Sequence, residues 1–154
     1  MDGILNQIDS IFATGDRLFS NEAKEANDID SAMIIMKSKK GVFCHINNSR
    51  HASYGYDQRV ELFGNEGMLI SDNQRLTSVK KYNTKNTSSK DPVLNFFIER
   101  YDEAYKNQLE NFVNCINQNK PPEVSFEDGR NALIIANAAN KSLKSGKIEK
   151  IIYE

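Results

Sequence analysis

The feature that most constrains this chain is the order of its hydropathy patterns, which are strand-like in the first half and helical in the second. Residues 32–36 form a continuous apolar run, which is typical of a strand covered on both faces. In residues 42–48 the apolar residues at 42, 44 and 46 alternate with the residues at 43, 45 and 47. A strand sends these two sets of side chains to opposite faces. Because Lys39-Lys40-Gly41 separates the two segments, they predict a β-hairpin.

Further strand signals flank this hairpin. Residues 57–63 alternate, and Gly-Asn-Glu-Gly at 64–67 supplies a turn into the apolar residues 68–70, which predicts a second hairpin. Residues 7–13 predict a short strand that ends at Thr14-Gly15, with 16–28 as a surface connection. Further candidates are an outer strand at 74–81 and a short final strand at 150–153.

The second half predicts two amphipathic helices. Apolar residues recur at steps of three and four after Pro92, and Pro121-Pro122 cannot continue that helix. A second helix begins at Ser125, where Asp128 completes a near match to a capping box, and Gly146 suits the position after its end. The apolar positions of the two helices are Phe97, Tyr101, Ala104, Tyr105, Phe112, Val113 and Ile116 in the first, and Leu133, Ile134, Ala138 and Leu143 in the second.

This order of elements predicts an α+β fold. We expect an open, mostly antiparallel (mixed) sheet of about five or six strands with two helices on one face. The 154 residues suit a single domain over 1–154, since two full domains usually need roughly 250 or more. The run 32–36, with Phe43 and Phe63 on the far side, leaves an apolar sheet face uncovered. We expect a second copy to cover it in a homodimer.

Composition excludes several classes of function. The chain has 20 basic and 21 acidic residues and a formal net charge of −1, so no overall field attracts nucleic acid or an anionic membrane. No apolar run approaches the roughly 18 residues of a membrane span, and the start of the sequence lacks the features of a signal peptide. Only two cysteines are present, Cys44 and Cys115, which favours a cytoplasmic protein without disulfides.

The usual signatures of cofactor and metal sites are missing from the sequence. None of the eight glycines forms GxGxxG or GxxxxGK[ST], the loops that hold nucleotide phosphates. Cys44, His45 and His51 are potential zinc ligands, but adjacent strand residues point to opposite faces. We therefore predict no metal site, no cofactor within this chain and no catalytic residue in it.

Residues 47–67 hold the most informative polar cluster. Tyr54 and Tyr56 are two positions apart, so in an extended chain both phenols project to one side, with Asn48, Arg50 and Asp57 nearby. Such a cluster can bind hydroxyl groups. A structural interpretation stays open, in which Arg50 and Asp57 pair at the surface while the tyrosines pack as amphipathic edges.

Four segments carry a family resemblance that covers nearly the whole chain in the same order. The segment NNSRHASYGYDQRVELFGNEGML at 47–69, with its YGYDQR block, resembles the C-terminal domain of the Gfo/Idh/MocA oxidoreductases, and within them the inositol dehydrogenases. DIDSAMIIMKSKKGVFCHI at 28–46 resembles the strand pair of that domain. FFIERYDEAYKNQLENFVNCI at 96–116 resembles its long helix, and PPEVSFEDGRNALIIANAANKSLKSGKI at 121–148 its closing stretch.

The resemblance implies a two-domain enzyme in which a Rossmann domain holds NAD or NADP and this α/β domain covers the nicotinamide and a small polyol. Relatives assemble through the sheet face as dimers or tetramers. By resemblance Tyr56 is the best substrate-facing candidate and Tyr54 the next, followed by Arg50 and Asn48. The family's dinucleotide domain, its Glu-Lys-Pro-like motif and its Asp-x-x-x-His pair have no counterpart in 1–154.

Hydride transfer needs a fixed nicotinamide and a base for the hydroxyl proton. We therefore expect a C-terminal domain of an inositol or sugar dehydrogenase that is inactive alone. Two alternatives are a non-catalytic binding or oligomerisation module that reuses the fold, and one half of a split enzyme whose Rossmann domain is a separate chain.

Overall fold

The computed structural model describes residues 8–153. They fall into two compact units, each considered by itself: the sheet unit, which runs to His51 and resumes at Pro121, and the hairpin unit, residues 52–120. The elements are β1 (Ile8–Asp16), α1 (Asn21–Glu25), β2 (Ser31–Ser38), β3 (Phe43–Ser49), β4 (Val60–Gly64), β5 (Gly67–Ser71), β6 (Lys80–Lys81), β7 (Ser89–Lys90), α2 (Phe97–Gln118), α3 (Phe126–Ser145) and β8 (Glu149–Lys150).

The sheet unit is built on four antiparallel strands in the order β3-β2-β1-β8. The predicted hairpin is confirmed as β2 and β3. Its turn is closed by the Val42 N–H, which donates to Ser38 Oγ at 2.9 Å, and Gly41 has φ +84°. Since a positive φ suits glycine, the sequence at the turn fixes the register of this strand pair.

Helix α3 covers one face of this sheet and contacts β1. Its predicted start is confirmed: the Ser125 side chain accepts from the Asp128 N–H, and the Asp128 carboxylate accepts from the Ser125 N–H at 2.8 Å. Gly146, with φ +66°, ends the helix as predicted. The buried apolar side chains between α3 and the strands are Ile8, Ile11, Ala13, Met36, Ile135, Ala139 and Ile151.

The opposite face of the sheet is apolar and exposed in this chain. Met33 and Ile35 of β2 are 61% and 58% exposed, and Phe43 of β3 is 75% exposed. Alternate residues of these strands face α3, where Ile34 and Cys44 pack against the core. The two-sided apolar run of β2 therefore leaves the uncovered face that the sequence predicts.

The hairpin unit contains the predicted hairpin β4–β5, the short pair β6–β7 and the 22-residue helix α2. Gly67 has φ +145° at the turn between β4 and β5. Helix α2 ends at Gln118, and its cap residue Asn119 adopts the left-handed conformation with φ +50°, two positions before Pro121. Proline and this cap together set the end of the helix.

The α+β class with an open, mostly antiparallel sheet is confirmed, but the strand count was wrong. The main sheet has four strands, and β4–β5 and β6–β7 are separate two-stranded sheets. Phe63 lies in β4, so it belongs to that hairpin and not to the far face of the main sheet. Alternation identified the hairpin but carries no information about which strands join edge to edge. That residues 1–154 form a single domain stays a prediction.

Three local predictions also differ from the structure. Strand β1 continues through Thr14 and Gly15 to Asp16, because pairing with β2 holds residues that in isolation favour a turn. The expected surface connection contains α1, a five-residue helix capped by Ser20. In place of a full outer strand at 74–81, the chain forms an isolated bridge at Arg75 and the two-residue β6. Residue 7, where the first predicted strand begins, lies outside the described residues.

Candidate functional site

The four predicted site residues lie in different units. Tyr54 and Tyr56 belong to the hairpin unit, in the connection that leads into β4. Asn48 is an exposed residue of β3, paired with Ala32, and Arg50 follows the end of that strand in the sheet unit. The hairpin unit therefore provides a tyrosine-bearing segment, residues 52–58, whose geometry can be described in detail.

Arg50 is fixed by contacts within the sheet unit. Its N–H donates to the Asp30 carbonyl at 2.8 Å, and its guanidinium lies 3.5 Å from the Asp28 carboxylate. Both side chains of this ion pair are more than half exposed, so the pair adds little stability. Asp57, in turn, pairs with Arg59. The Arg50–Asp57 surface pair of the alternative interpretation is therefore wrong, since Arg50 pairs with Asp28 and Asp57 pairs with Arg59.

Gly55 shapes the backbone between the two tyrosines. It is buried and has φ +128°, and a Cβ at this position would stand 2.8 Å from the Val93 carbonyl oxygen. The next residue, Tyr56, donates its N–H to the Leu94 carbonyl at 2.8 Å. Only glycine fits this close approach, and the backbone at Gly55 departs from the extended chain assumed from sequence.

Asp57 is the centre of a hydrogen-bond network. Arg59 grips its carboxylate with two N–H groups, at 2.8 Å to Oδ1 and 2.9 Å to Oδ2. Asn73 Nδ2 donates to Oδ1 at 2.6 Å, and the Tyr54 hydroxyl donates to Oδ2. The bonds from Arg59, then those from Tyr54 and Asn73, hold the Asp57 pKa far below its usual range.

This network also determines what Tyr54 can offer a ligand. Its hydroxyl proton is committed to Asp57, and that hydrogen bond raises the pKa of the Tyr54 phenol. The phenol oxygen can still accept a hydrogen bond from a ligand hydroxyl. A cavity of about 540 Å³ opens beside Tyr54, and Ser53 and Asn95 are among the polar residues that line it.

Tyr56 packs against helix α2. Its ring meets the ring of Tyr101 edge to face, with centroids 5.6 Å apart and planes at 82°. The Tyr101 ring also lies edge to face with the Tyr105 ring, with centroids 6.2 Å apart. The Tyr101 hydroxyl donates to Gln58 Oε1. Burial raises the pKa of Tyr101, and a hydrogen bond with Tyr56 adds to this effect. The two tyrosines of the predicted cluster thus engage different partners.

This arrangement suits binding of hydroxyl groups better than proton transfer. Tyr54 and Tyr56 provide phenol oxygens, whereas the strongly lowered pKa makes Asp57 a weak base near neutral pH. His45 is exposed on β3, and His51 stacks on Phe19 at 5.2 Å, both within the sheet unit. Within residues 8–153, no three His, Cys, Asp or Glu side chains come together to hold a metal ion.

Sequence reasoning missed several members of this network. Arg59 follows Asp57 by two positions, and residues at that spacing project to the same side of an extended segment, which is a signal for a local ion pair. Tyr101 was assigned to the apolar face of a helix, although a tyrosine there also carries a hydroxyl that needs a partner. Asn73 has no signal in the sequence, since its contact with Asp57 spans 16 positions.

The chain is similar to one known protein family and to several curated proteins. Residues 6–151 match the family model of the oxidoreductase family (Gfo/Idh/MocA), C-terminal alpha/beta domain. Among curated proteins, the chain is 39% identical to a myo-inositol 2-dehydrogenase of Thermotoga maritima over 149 residues, which is 95% of this chain and 44% of that protein.

Solved structures of inositol dehydrogenases also superpose on this chain. A myo-inositol dehydrogenase from Corynebacterium glutamicum superposes with a TM-score of 0.88 at 44% identity, over 96% of this chain and 44% of that one. A myo-inositol dehydrogenase from Lactobacillus casei, solved in complex with NAD(H) and myo-inositol, gives a TM-score of 0.78 at 28% identity, over 95% of this chain and 42% of that one. The chain spans less than half the length of each of these relatives.

Proposed function

The chain belongs to the Gfo/Idh/MocA oxidoreductase family, as its C-terminal alpha/beta domain, and on that premise we propose that it forms the substrate side of an NAD(P)-dependent inositol dehydrogenase. The observation that carries this proposal is the tyrosine pair of segment 52–58, in which Tyr54 and Tyr56 are fixed by defined partners and a cavity opens beside Tyr54. The Lactobacillus casei relative holds NAD(H) and myo-inositol, which supports a nicotinamide cofactor and a polyol substrate.

The site residues have distinct proposed roles. Tyr56 is the leading substrate contact, with a hydroxyl that can bond a ring hydroxyl of the polyol. Tyr54 can accept a bond while its own proton is held by Asp57. Arg50 and Asn48 are secondary candidates, both exposed and polar. None of these side chains accepts a hydride, so the nicotinamide and the base must come from a dinucleotide-binding part.

We propose that residues 1–154 alone do not oxidise a polyol, and that the missing part lies in the same polypeptide or in a separate chain. We further propose a homodimer or tetramer that buries the apolar face bearing Met33, Ile35 and Phe43. We also propose a cytoplasmic location, which the presence of only two cysteines in the sequence supports. Across residues 8–153, no helix has the length and apolar character that crossing a membrane requires.

A chimera tests the proposal. Residues 6–151 replace the matching C-terminal part of the Thermotoga maritima enzyme, and NADH formation is followed with myo-inositol. We expect myo-inositol-dependent turnover by the chimera and none by the 154-residue chain. A folded chimera without polyol turnover refutes the dehydrogenase role and favours a non-catalytic module. Turnover by the 154-residue chain alone refutes its proposed inactivity.

Substitutions in the chimera test the assignment of Tyr56. Tyr56→Phe removes one hydroxyl contact, which for a neutral hydrogen bond lowers kcat/KM by an equivalent of about 0.5–1.5 kcal/mol. Tyr82→Phe is the matched control, because Tyr82 is exposed and lies outside segment 52–58. Unchanged KM and kcat in the Tyr56→Phe chimera would remove Tyr56 from the site.

A further inference from the structure

We propose that Asp57 is the positioning residue of this site: its carboxylate ties Tyr54, Arg59 and Asn73 together and thereby holds Tyr56 in place. The inference rests on the proposed role of Tyr56 as a substrate contact. Asp57 is the residue that joins these three side chains, which come from two separate stretches of the sequence. The network therefore ties segment 52–58 to the chain that follows β5.

The bonds to Asp57 are of a strong kind. A guanidinium that grips a carboxylate with two N–H groups fixes orientation as well as distance, and charge-assisted bonds are about twice as strong as neutral ones. The Asp57 side chain is only 15% exposed, whereas that of Arg59 is 53% exposed. Water thus competes poorly for the carboxylate, and the accepting oxygens stay engaged by protein groups.

The backbone of Tyr56 is held on both sides. On one side, Gly55 packs against Val93, and the Tyr56 N–H bonds to the Leu94 carbonyl. On the other side, the Asp57 carboxylate is fixed by its three partners. With both neighbours immobilised, little freedom remains for Tyr56 beyond rotation of its side chain.

A chain of contacts connects the Asp57 carboxylate with the Tyr56 ring. Asn73 donates to Asp57 and accepts from the Gln58 N–H at 2.8 Å. Gln58 accepts in turn from the Tyr101 hydroxyl, and the Tyr101 ring meets Tyr56. Loss of the Asp57 charge therefore reaches Tyr56 by two routes, through the backbone and through Tyr101.

Fluorine NMR of the 154-residue chain tests the positioning role of Asp57 without an activity assay. The six tyrosines are replaced biosynthetically by 3-fluorotyrosine and assigned by single Tyr→Phe changes. In Asp57→Asn we expect the Tyr54, Tyr56 and Tyr101 signals to move while those of Tyr82 and Tyr153 stay, and Tyr54 to titrate at lower pH than in the parent chain. Glu66→Gln, in the exposed β4–β5 turn, is the matched control and should move none of these three signals.

A second variant keeps the test decisive if Asp57→Asn fails to fold. Arg59→Gln removes the guanidinium from a side chain that is more than half exposed, so the chain should still fold. The two hydrogen bonds from the guanidinium to the Asp57 carboxylate are lost. The Tyr56 signal should move in this variant as well. An unchanged Tyr56 signal in either folded variant overturns the proposal.

In the active chimera, Asp57→Asn should lower kcat/KM on the order of tenfold, as expected when a substrate contact loses its orientation. Because Asp57 acts through Tyr56, adding Asp57→Asn to Tyr56→Ala should cost less than twofold more. Independent, multiplicative losses would overturn the positioning role. An inactive parent chimera would instead count against the proposed function, while the NMR result on Asp57 would stand.

Discussion

Ser142 joins three parts of the sheet unit through one buried hydroxyl. Its side chain is fully buried on α3, its Oγ accepts the Ala13 N–H of β1 at 2.9 Å, and it donates to the Lys147 carbonyl at 2.6 Å. Ser142→Ala removes both bonds. The substitution thus isolates the contribution of a single hydroxyl to the packing of α3 on the sheet.

The size of the effect follows from the burial of each partner. A buried donor left without a partner costs about 1–3 kcal/mol, and Ala13 is only 6% exposed. Lys147 is exposed, so its carbonyl can accept a hydrogen bond from water, and the loss of its bond to Ser142 adds less to the destabilisation. Alanine is favoured over serine in a helix by up to about 0.5 kcal/mol, which offsets a small part of the loss. The free energy of unfolding should therefore fall by about 2 kcal/mol.

Urea denaturation followed by far-UV circular dichroism measures this difference. The midpoint should fall with an unchanged slope, and the melting temperature should drop by roughly 4–8 °C. Asn140→Ala is the matched control, because Asn140 is exposed on the same helix, and its effect should stay within about 0.5 kcal/mol. A Ser142→Ala change below about 0.5 kcal/mol would refute the reasoning from buried hydrogen bonds.

Two further predictions concern the loop that precedes β2 and the turn at Gly55. The buried Asp30 carboxylate accepts from the N–H groups of residues 18, 19 and 20, and these bonds hold its pKa well below the usual value despite the opposing effect of burial. Because the folded pKa is depressed, this stabilisation is present above the unfolded pKa and is lost as pH falls below about 4. Asp30→Asn should flatten the decline of the urea midpoint between pH 5 and pH 3, and an unaltered decline would contradict this role. Gly55→Ala should destabilise the hairpin unit by about 1–3 kcal/mol, from a positive φ and the clash with the Val93 carbonyl oxygen. The same change at Gly41, which also has a positive φ but open space around it, is the control and should cost less in thermal melting; equal losses would show that the close approach to Val93 is unimportant.

Much of the sheet unit and of the hairpin unit could be predicted because its signals are local. Alternation in β3 and β4, the turn at Gly41 and the Ser125–Asp128 capping box each act within a few positions. The same locality explains the errors. The turn expected at Thr14-Gly15 is overridden by pairing with β2, and propensity is a weak guide against such a partner.

The candidate site could be predicted only in part. The pair Tyr54 and Tyr56 stands out as a local motif, and both lie in the segment that Gly55 shapes. The partners that fix them do not stand out. Tyr101 is 43 positions from Gln58, and Asn73 is 16 positions from Asp57. Neither Tyr101 nor Asn73 differs from its sequence neighbours in a way that would indicate these contacts.

By itself, the sequence determined the hairpins β2–β3 and β4–β5 with their glycine turns, the capped start of α3 and the family, because these depend on the identity and spacing of neighbouring residues. The tertiary structure decided that the main sheet stops at four strands, and that Asp57 accepts the hydrogen bond of the Tyr54 hydroxyl. These outcomes depend on which distant groups meet and on which of them water can still reach. Contacts of that kind arise from packing in three dimensions, and no single stretch of residues encodes them.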